Sequence, residues 1–206
     1  MELIENDGEF YNLCQELESW IIEYNSLSFD CPLYMVWFTD STDNDTDKFI
    51  LDKNDKIFAS TNPSQLIKNI GDVKLQLLDL EKTEGWLSRS LEMEIQPFCS
   101  CEITLIKQGI VEREITDEWL SEITNFINLY RDYGSQLQNE NILALSNKKE
   151  IELVWECYYD NSIWPHFKSK TKFNKQKISN FKSDFEKLSI EICELIQSFE
   201  MNIKIR

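Results

Sequence analysis

The stretch PLYMVWFT, residues 32–39, decides the fold prediction because it is apolar on both of its alternating sets of positions. One set comprises Leu33, Met35 and Trp37, and the other comprises Tyr34, Val36 and Phe38. Successive side chains of a strand point to opposite faces of the sheet, so apolar residues in both sets indicate a strand that is covered on both faces. The sequence therefore predicts that these residues form the central strand of a sheet.

The segments that follow predict more of this sheet and one short helix. KFIL, residues 48–51, and KIFA, residues 56–59, flank DKND, which predicts a hairpin whose turn uses Asn and Asp. In the next segment Asn62 is the expected helix N-cap, Pro63 the first helical residue and Gly71 the residue that stops the helix. VKLQL, residues 73–77, predicts a further strand.

Helical periodicity dominates both ends of the chain. At the N-terminal end a helix capped by Asp7 is predicted from apolar residues three and four apart: Phe10, Leu13, Cys14, Leu17, Ile21 and Tyr24. In the second half Thr116 is the expected cap of a long helix, and a wide apolar stripe that ends at Phe199 predicts the last one. CSCEITLI, residues 99–106, fits either a helix or a strand.

The fold class predicted from these patterns is α+β, with a small antiparallel or mixed sheet in the N-terminal half and a helical C-terminal half. One domain is expected over residues 1–206, either undivided or composed of an α+β subdomain, residues 1–80, and a mainly helical subdomain, residues 81–206.

Net charge limits the classes of partner. The chain has 37 acidic and 21 basic residues, a formal charge of −16, which argues against nucleic acid or an anionic membrane as partner. Twelve carboxylates precede the first basic residue, Lys48. The N-terminal MELIENDGEF lacks a basic region followed by an apolar run, and the longest apolar stretch is far shorter than the ~20 residues that span a bilayer, so a cytoplasmic protein is expected.

Lysine is concentrated near the other end of the chain. Six lysines with no acidic residue among them follow Pro165: Lys168, Lys170, Lys172, Lys175, Lys177 and Lys182. We interpret this segment as a solvated loop and helix start, or as a complement to the acidic half of the same molecule.

Two stretches of the chain partly match metal-site motifs, a calcium loop and a zinc site. Asp43, Asp45 and Asp47 match positions 1, 3 and 5 of an EF-hand loop, but Lys48 replaces the turn glycine and Asn54 the closing glutamate. The Cys99-x-Cys101 pair lacks two further ligands in paired spacing, since His166, the one histidine, lies far away in sequence. The sequence thus predicts no metal and no cofactor, and a solvated loop of carboxylates at residues 43–47.

Catalysis has one candidate pair, Cys157 and His166, because an imidazole can generate a nucleophilic thiolate. Cys157 falls on a predicted helix, where buried structural thiols are common, and the chain contains no GxSxG, HExxH or glycine-rich phosphate loop. We therefore expect a protein that is not an enzyme, with reduced cysteines.

A resemblance to a protein family rests on the order of six segments. These are YMVWFTDS, KFILDKNDKIFAS, PSQLIKNI, LDLEKTEGWL, ITNFINLYRDYGSQL and VWECYYDNSIWP, within residues 33–165. In element order and aromatic placement the chain resembles bacterial immunity-type proteins, which neutralise toxins of contact-dependent inhibition and other polymorphic toxin systems. The resemblance implies a cognate protein toxin as partner and no catalytic residues.

Three functions follow from these observations: an immunity protein that occludes a basic toxin, an acidic adaptor or nucleic-acid mimic, and a small hydrolase with the Cys157/His166 site. An acidic partner-binding surface is predicted at Asp40, Asp43, Asp45 and Asp47. Glu9, Glu16 and Glu23, which recur every seven residues on the predicted first helix, are the second predicted surface.

Overall fold

The structure is a computed structural model and describes residues 8–72, 80–113, 115–164 and 183–206. The chain divides into two compact units. Glu2–Cys101 and Glu200–Arg206 form the first, here named the sheet unit, and Glu102–Phe199 forms the second, named the helical unit. The division follows Cys101, whereas the sequence suggested a subdomain boundary after residue 80. The single domain over residues 1–206 stays a prediction.

The sheet is mixed and six-stranded, which confirms the α+β fold class. Its strands are β1 (Ser19–Asn25), β2 (Leu33–Asp40), β3 (Thr46–Phe49), β4 (Ile57–Ser60), β5 (Cys99–Glu102) and β6 (Ile203–Ile205). The strand order is β5-β1-β2-β4-β6, with β3 also paired to β2. The β4–β6 pair is parallel, and β2 is antiparallel to β1, β3 and β4.

The predicted central strand is confirmed as β2. It pairs with β1 along one edge, from Ser19↔Phe38 to Tyr24↔Leu33. On its other edge β3 pairs with residues 37–40 and β4 with residues 34–35, so two short strands share one side of β2. Residues of both alternating sets are buried, including Met35 and Val36, as a strand covered on both faces requires.

The predicted first helix is wrong in its second half. Helix α1 covers Glu9–Leu17, and Glu18 ends it with a left-handed φ of 49° while its N–H donates to the carbonyl of Cys14. The segment SWIIEYN then forms β1 instead of continuing the helix. Apolar β-branched and aromatic residues favour strands, and this segment gains backbone partners from β2 on one edge and from β5 on the other. Asp7, the predicted cap, lies outside the described residues.

The predicted turn at residues 52–55 forms, although β3 pairs with β2 and not with the segment after the turn. An antiparallel bridge joins Leu51 to Ile57, and Asp55 has a positive φ of 59°. The amide of Asp52 donates to the carbonyl of Lys56 at 2.7 Å, which closes the turn.

Helix α2 (Pro63–Asp72) confirms the predicted cap, because the Asn62 side chain accepts the Gln65 N–H at 2.9 Å. Gly71 does not stop the helix, which includes it and ends one residue later. A glycine inside a helix costs only ~1 kcal/mol relative to alanine, which neighbouring turns readily offset. The predicted strand at residues 73–77 lies outside the described residues.

The core of the sheet unit lies between the sheet and the helices α1, α2 and α3 (Leu80–Ser90). Its members are buried residues of both element types: Phe10, Leu13, Cys14, Ile21, Val36, Phe38, Ile50, Phe58, Leu66, Ile67, Ile70 and Trp86. Burial of this much apolar surface is the main term that holds α1 and α3 on the sheet.

The helical unit contains α4 (Ile103–Glu112), α5 (Asp117–Gln136), α6 (Glu140–Ser146), α7 (Lys149–Tyr158), a π-helical turn (Tyr159–Ile163) and α8 (Phe185–Glu200). The predicted cap of α5 is confirmed, since Thr116 Oγ1 accepts the Trp119 N–H at 3.0 Å. The ambiguous segment 99–106 divides into strand β5 and the start of α4. Ile192, Leu195 and Phe199 confirm the buried stripe of the last helix.

Candidate functional site

The acidic loop, residues 41–45 between β2 and β3, is built from two consecutive tight turns. The amide of Asp43 donates to the carbonyl of Asp40 at 3.1 Å, and the amide of Thr46 donates to the carbonyl of Asp43 at 3.2 Å. Asn44 and Asp45 both have φ of 55°, a conformation that Asn and Asp adopt more readily than most residues. The loop thus forms a compact hairpin connection.

A buried lysine neutralises two of these carboxylates. The side-chain nitrogen of Lys48, a residue that is 4% exposed, lies 2.7 Å from Asp40 Oδ2 and 2.7 Å from Asp43 Oδ2. Burial works against the charge of Asp40, but hydrogen bonds from Lys48 and Thr42 outweigh it and lower the pKa of this carboxyl below its usual value. Asp40 is 0% exposed. This residue therefore does not belong to an exposed acidic surface, contrary to our expectation.

The other three predicted loop positions differ in their surroundings. Asp45 is exposed, and the Asp43 side chain is 55% exposed despite its bond to Lys48. Asp47 is half-buried and accepts a hydrogen bond from Thr39 Oγ1 at 2.7 Å, and burial raises the pKa of its carboxyl. Across the described residues, no group of three or more His, Cys, Asp or Glu side chains is arranged to hold a metal ion.

The acids of the predicted helical stripe do not share one surface. Glu16 on α1 makes a bidentate pair with Arg89 of α3, at 2.8 and 3.1 Å, and the Arg89 hydrogen bond lowers the pKa of Glu16. Glu23 lies on β1, half-buried, where its carboxylate accepts a hydrogen bond from the Asn25 side chain. Glu18, next to the end of α1, pairs with Lys82 at 2.8 Å. Bases distant in sequence thus neutralise part of the acidic N-terminal segment.

Glu9 lies at a cleft that the sequence did not indicate. This acidic cleft has a volume of about 260 Å³ and is formed by two segments, residues 8–11 and residues 92–96: Gly8, Glu9, Phe10, Tyr11, Glu92, Met93, Glu94 and Gln96. Glu9, Glu92 and Glu94 are exposed, and none of them has an ion-pair partner among the residues that the structure describes.

Two of the eight residues that form the acidic cleft are aromatic, Phe10 and Tyr11. Phe10 packs near Trp86 with ring centroids 6.1 Å apart, and Tyr11 stacks on Phe98 at 5.5 Å. Phe10 is buried and Tyr11 is half-buried, so the Tyr11 ring beside the carboxylates suits the aliphatic stem and charged head of a lysine or arginine side chain. No sequence signal links Glu9 to Glu92 and Glu94, because packing of the segment after α3 against α1 creates the cleft.

The cysteines of the chain are free thiols. Cys14, Cys99 and Cys101 are buried, Cys157 is half-buried, and Cys31 and Cys193 are exposed. Burial raises the pKa of Cys14 to about 11, so this thiol carries little nucleophilic thiolate at neutral pH. His166, the proposed partner of Cys157, lies outside the described residues, as do the six lysines of residues 168–182.

The helical unit contains a row of three aromatic rings, each tilted against the next, here named the aromatic column: Trp155, Tyr159 and Trp164. The centroids of Trp155 and Tyr159 are 4.1 Å apart, and those of Tyr159 and Trp164 are 5.8 Å apart. The guanidinium carbon of Arg131 lies 5.2 Å from the Trp155 ring centroid. The i, i+4 spacing of residues 155 and 159 is the sequence signal for the first contact of this column.

Comparisons with known proteins find a similar fold but do not assign the chain to a family. No protein-family profile matches the chain, and no curated protein is significantly similar to it in sequence. A chain in the crystal structure of the SatS C-terminal domain in complex with bromine has a similar fold, with a TM-score of 0.63 and 12% sequence identity. The match covers 94% of this chain and 96% of that chain. Within the described residues, no helix is long and apolar enough to cross a membrane.

Proposed function

We propose that this chain is an immunity-type protein, which binds a cognate, basic bacterial toxin domain and neutralises it by steric and electrostatic occlusion, without catalysis. The uneven charge carries the proposal. The sheet unit has twenty-one acidic and nine basic residues, a net −12, while the helical unit has sixteen acidic and twelve basic residues, a net −4. Charge of this size repels itself within one unit, and a cationic partner would relieve that repulsion.

The exposed carboxylates give this charge a place to act. Asp45 of the acidic loop and Glu9, Glu92 and Glu94 of the acidic cleft are exposed, and no ion pair within the described part of the chain neutralises them. Such groups lose little solvation energy before contact and attract a basic partner over roughly 10 Å at moderate salt. They would therefore speed association with a toxin that is itself basic because it binds nucleic acid.

Co-expression tests the function. The chain is produced together with candidate toxin domains encoded next to it, and cell growth is compared with and without it. We expect one neighbouring domain to be toxic alone and harmless with this chain, and the two proteins to purify as a one-to-one complex. If every neighbour is harmless alone, or kills equally in both cases, this chain is not an immunity protein.

A charge-neutral cleft should slow complex formation. For Glu9→Gln/Glu92→Gln/Glu94→Gln we expect the association rate at low salt to fall by about tenfold and its salt dependence to flatten, because rim charges act chiefly on encounter. Stopped-flow mixing at several salt concentrations measures both quantities.

The matched control removes the same net charge elsewhere. Glu84→Gln/Glu118→Gln/Glu140→Gln changes three exposed carboxylates outside the cleft and should leave the rate within about twofold of the wild-type value, because steering depends on where charge lies near the interface. Equal slowing by the two triple variants would mean that total charge matters and that the cleft is not the contact.

A further inference from the structure

We infer that the outer edge of β6 binds an extended, acidic segment of a partner protein, which adds one strand to the sheet. This edge consists of the backbone N–H and C=O groups of Ile203 and Ile205. It belongs to the sheet unit and lies far in sequence from the acidic loop and the acidic cleft. The inference does not rest on the proposed function, because its occupant carries the opposite charge to the basic toxin.

The hydrogen bonds between β4 and β6 show which residues of the last strand face inward. The carbonyl of Asn202 accepts the Ile57 N–H at 2.8 Å, and the amide of Arg206 donates to the carbonyl of Ala59 at 3.0 Å. In a parallel pair, every second residue of a strand directs its backbone groups towards the partner strand. Lys204 lies midway between Asn202 and Arg206, so it faces β4 as they do.

The two isoleucines of β6 therefore face outward. Ile203 and Ile205 direct two N–H and two C=O groups away from β4. The strand order ends at β6, and no strand in the described part of the chain pairs with this side. Ile203 is half-buried and Ile205 is 42% exposed, which places the edge at the protein surface. An edge of this kind is a template on which an extended peptide adds a strand through main-chain hydrogen bonds.

The charge around this edge differs in sign from that of the rest of the unit. Residues 52–60 and 201–206 contain β4, β6 and the turn before β4, and they have four bases and two acids, whereas the whole sheet unit has a net −12. One of the two acids, Asp52, is buried and accepts the backbone N–H groups of Asn54 and Lys56. The edge is thus a local basic region of an acidic unit.

Lys204 and Arg206 place positive charge on the strand itself. Both are exposed, and Lys204 has no ion pair among the residues that the structure describes. Exposed charges further apart than about 10 Å are largely screened at moderate salt, so these two bases act on a segment at the edge more strongly than distant acids do. A carboxylate beside Lys204 in the added strand would form a favourable cross-strand pair.

Side-chain alternation defines the sequence pattern of the occupant. Ile203 and Ile205 lie on one face of the strand, and Lys204 and Arg206 lie on the other. The guanidinium carbon of Arg206 is 6.0 Å from the ring centroid of Phe58, the residue that pairs with Lys204. An added strand would therefore alternate apolar residues, which cover the isoleucines, with acidic residues, which lie beside the bases.

A second copy of this chain does not suit the edge. Antiparallel pairing of two β6 strands about a two-fold axis would bring the bases of both copies together, and like charges opposite each other destabilise paired strands. Lysine on an edge strand is a common device against such self-pairing. The same charges that oppose a second copy favour an acidic segment.

Amide hydrogen exchange, followed by nuclear magnetic resonance, tests the edge. In the free protein we expect the amides of Ile203 and Ile205 to exchange faster than the amide of Lys204, which bonds β4. The probe is a blocked hexapeptide that alternates valine and glutamate, and it should shift the two isoleucine signals and slow their exchange. One control peptide has lysine in place of glutamate, and the other carries N-methyl groups on its amides. Neither control should bind.

Variants of Ile205 test the backbone contact. Ile205→Pro removes one outward N–H and should weaken binding of the valine–glutamate peptide about fivefold, since proline is tolerated on an edge strand but cannot donate. Ile205→Val is the matched control, because it keeps the donor and an apolar side chain, and its affinity should stay within about twofold of the wild-type value. The Arg206 amide signal reports whether β6 still pairs with β4.

A lysine variant tests the charge contact. Lys204→Gln should weaken binding of the same peptide by about twofold to fivefold, the size of one cross-strand charge pair. Lys68→Gln makes the same change at an exposed lysine of α2, away from the edge in sequence, and should leave the affinity unchanged.

The outcomes separate this inference from the proposed function. Unaltered Ile203 and Ile205 amides, binding of either control peptide as tightly as the probe, or equal affinities of Ile205→Pro and Ile205→Val would overturn the inference. A dimer in analytical ultracentrifugation that Ile205→Pro dissociates would assign the edge to a second copy and would also overturn it. Binding of the acidic peptide at this edge supports the inference even if co-expression finds no neutralised toxin, and in that case only the immunity function fails.

Discussion

Replacing Lys48 with alanine is expected to lower the free energy of unfolding by about 3–5 kcal/mol, because the substitution leaves the Asp40 carboxylate buried without its cation. Lys48 is the group that bonds Asp40 and Asp43 together, at 2.7 Å to each. The Thr42 amide and hydroxyl remain as donors to Asp40, at 2.9 and 2.6 Å, but neither carries a charge. Urea unfolding, followed by circular dichroism, measures the loss.

The control for this prediction is Lys53→Ala, which removes an exposed lysine from the turn at residues 52–55. It should change stability by no more than about 0.5 kcal/mol. Adding Asp40→Asn to the Lys48→Ala variant should restore part of the lost stability, since it removes the uncompensated charge. A loss below about 1 kcal/mol for Lys48→Ala would show that water or a rearranged loop solvates Asp40 instead.

Lys48, Asp40 and Asp43 form an ion group whose contribution to stability changes with pH in a direction that follows from its pKa shifts. The pKa of Asp40 is lowered, because hydrogen bonds from Lys48 and Thr42 outweigh its burial, so its contribution exists above the unfolded-state pKa and is lost as pH falls through the folded-state value. The pKa of Lys48 is raised, because its bonds to Asp40 and Asp43 outweigh burial. Its contribution is complete below the unfolded-state pKa and is lost as pH rises through the folded-state value. Neutral pH lies between these limits.

This ion group connects stability to the proposed binding surface. Asp43 and Asp45 belong to the same tight loop, and Asp43 contacts the buried Lys48. The contact between Lys48 and Asp43 therefore fixes the position of the loop that exposes Asp45. Preorganised charges bind a partner with less ordering entropy than mobile ones. A Lys48 variant that still folds should therefore bind a basic partner more slowly than its net charge alone would predict.

Local signals in the sequence were sufficient for several elements. The doubly apolar stretch at residues 32–39 specified β2, because both faces of that strand are covered. Asn62 and Thr116 were correct as caps because their side chains bond an amide three residues later in the chain. In each case the deciding contact lies within a few residues or follows from strand alternation.

Long-range pairing explains what the sequence did not reveal. The helical pattern continued past Glu18, but pairing of β1 with β2 overrode it. The acids of α1 seemed unneutralised in sequence, whereas Arg89 and Lys82, on α3, reach Glu16 and Glu18. The π-helical turn that adds Trp164 to the aromatic column changes a helical spacing by one residue, which no periodicity argument anticipates.

The second large effect on stability is expected at Gly109 in α4. A Cβ atom at this position would lie 2.1 Å from Cδ1 and 2.4 Å from Nε1 of Trp119, distances that real contacts do not reach. Trp119 is buried, and its indole N–H donates to the carbonyl of Ile106 at 2.9 Å. The ring cannot move away without losing this bond and its packing. Gly109→Ala should therefore destabilise the protein by about 3 kcal/mol, although alanine is the better helix former.

Gly85 in α3 provides the matched control, because the same substitution there adds the same methyl group to a helix with space for it. The nearest atom to a Cβ at Gly85 is Cδ1 of Leu17 at 3.9 Å, an ordinary van der Waals contact. Gly85→Ala should stabilise the protein by up to ~1 kcal/mol through helix propensity. Urea unfolding of both variants, followed by circular dichroism, compares the signs of the two changes in the free energy of unfolding. If Gly109→Ala is as stable as Gly85→Ala, α4 and α5 do not pack at Gly109 as closely as described.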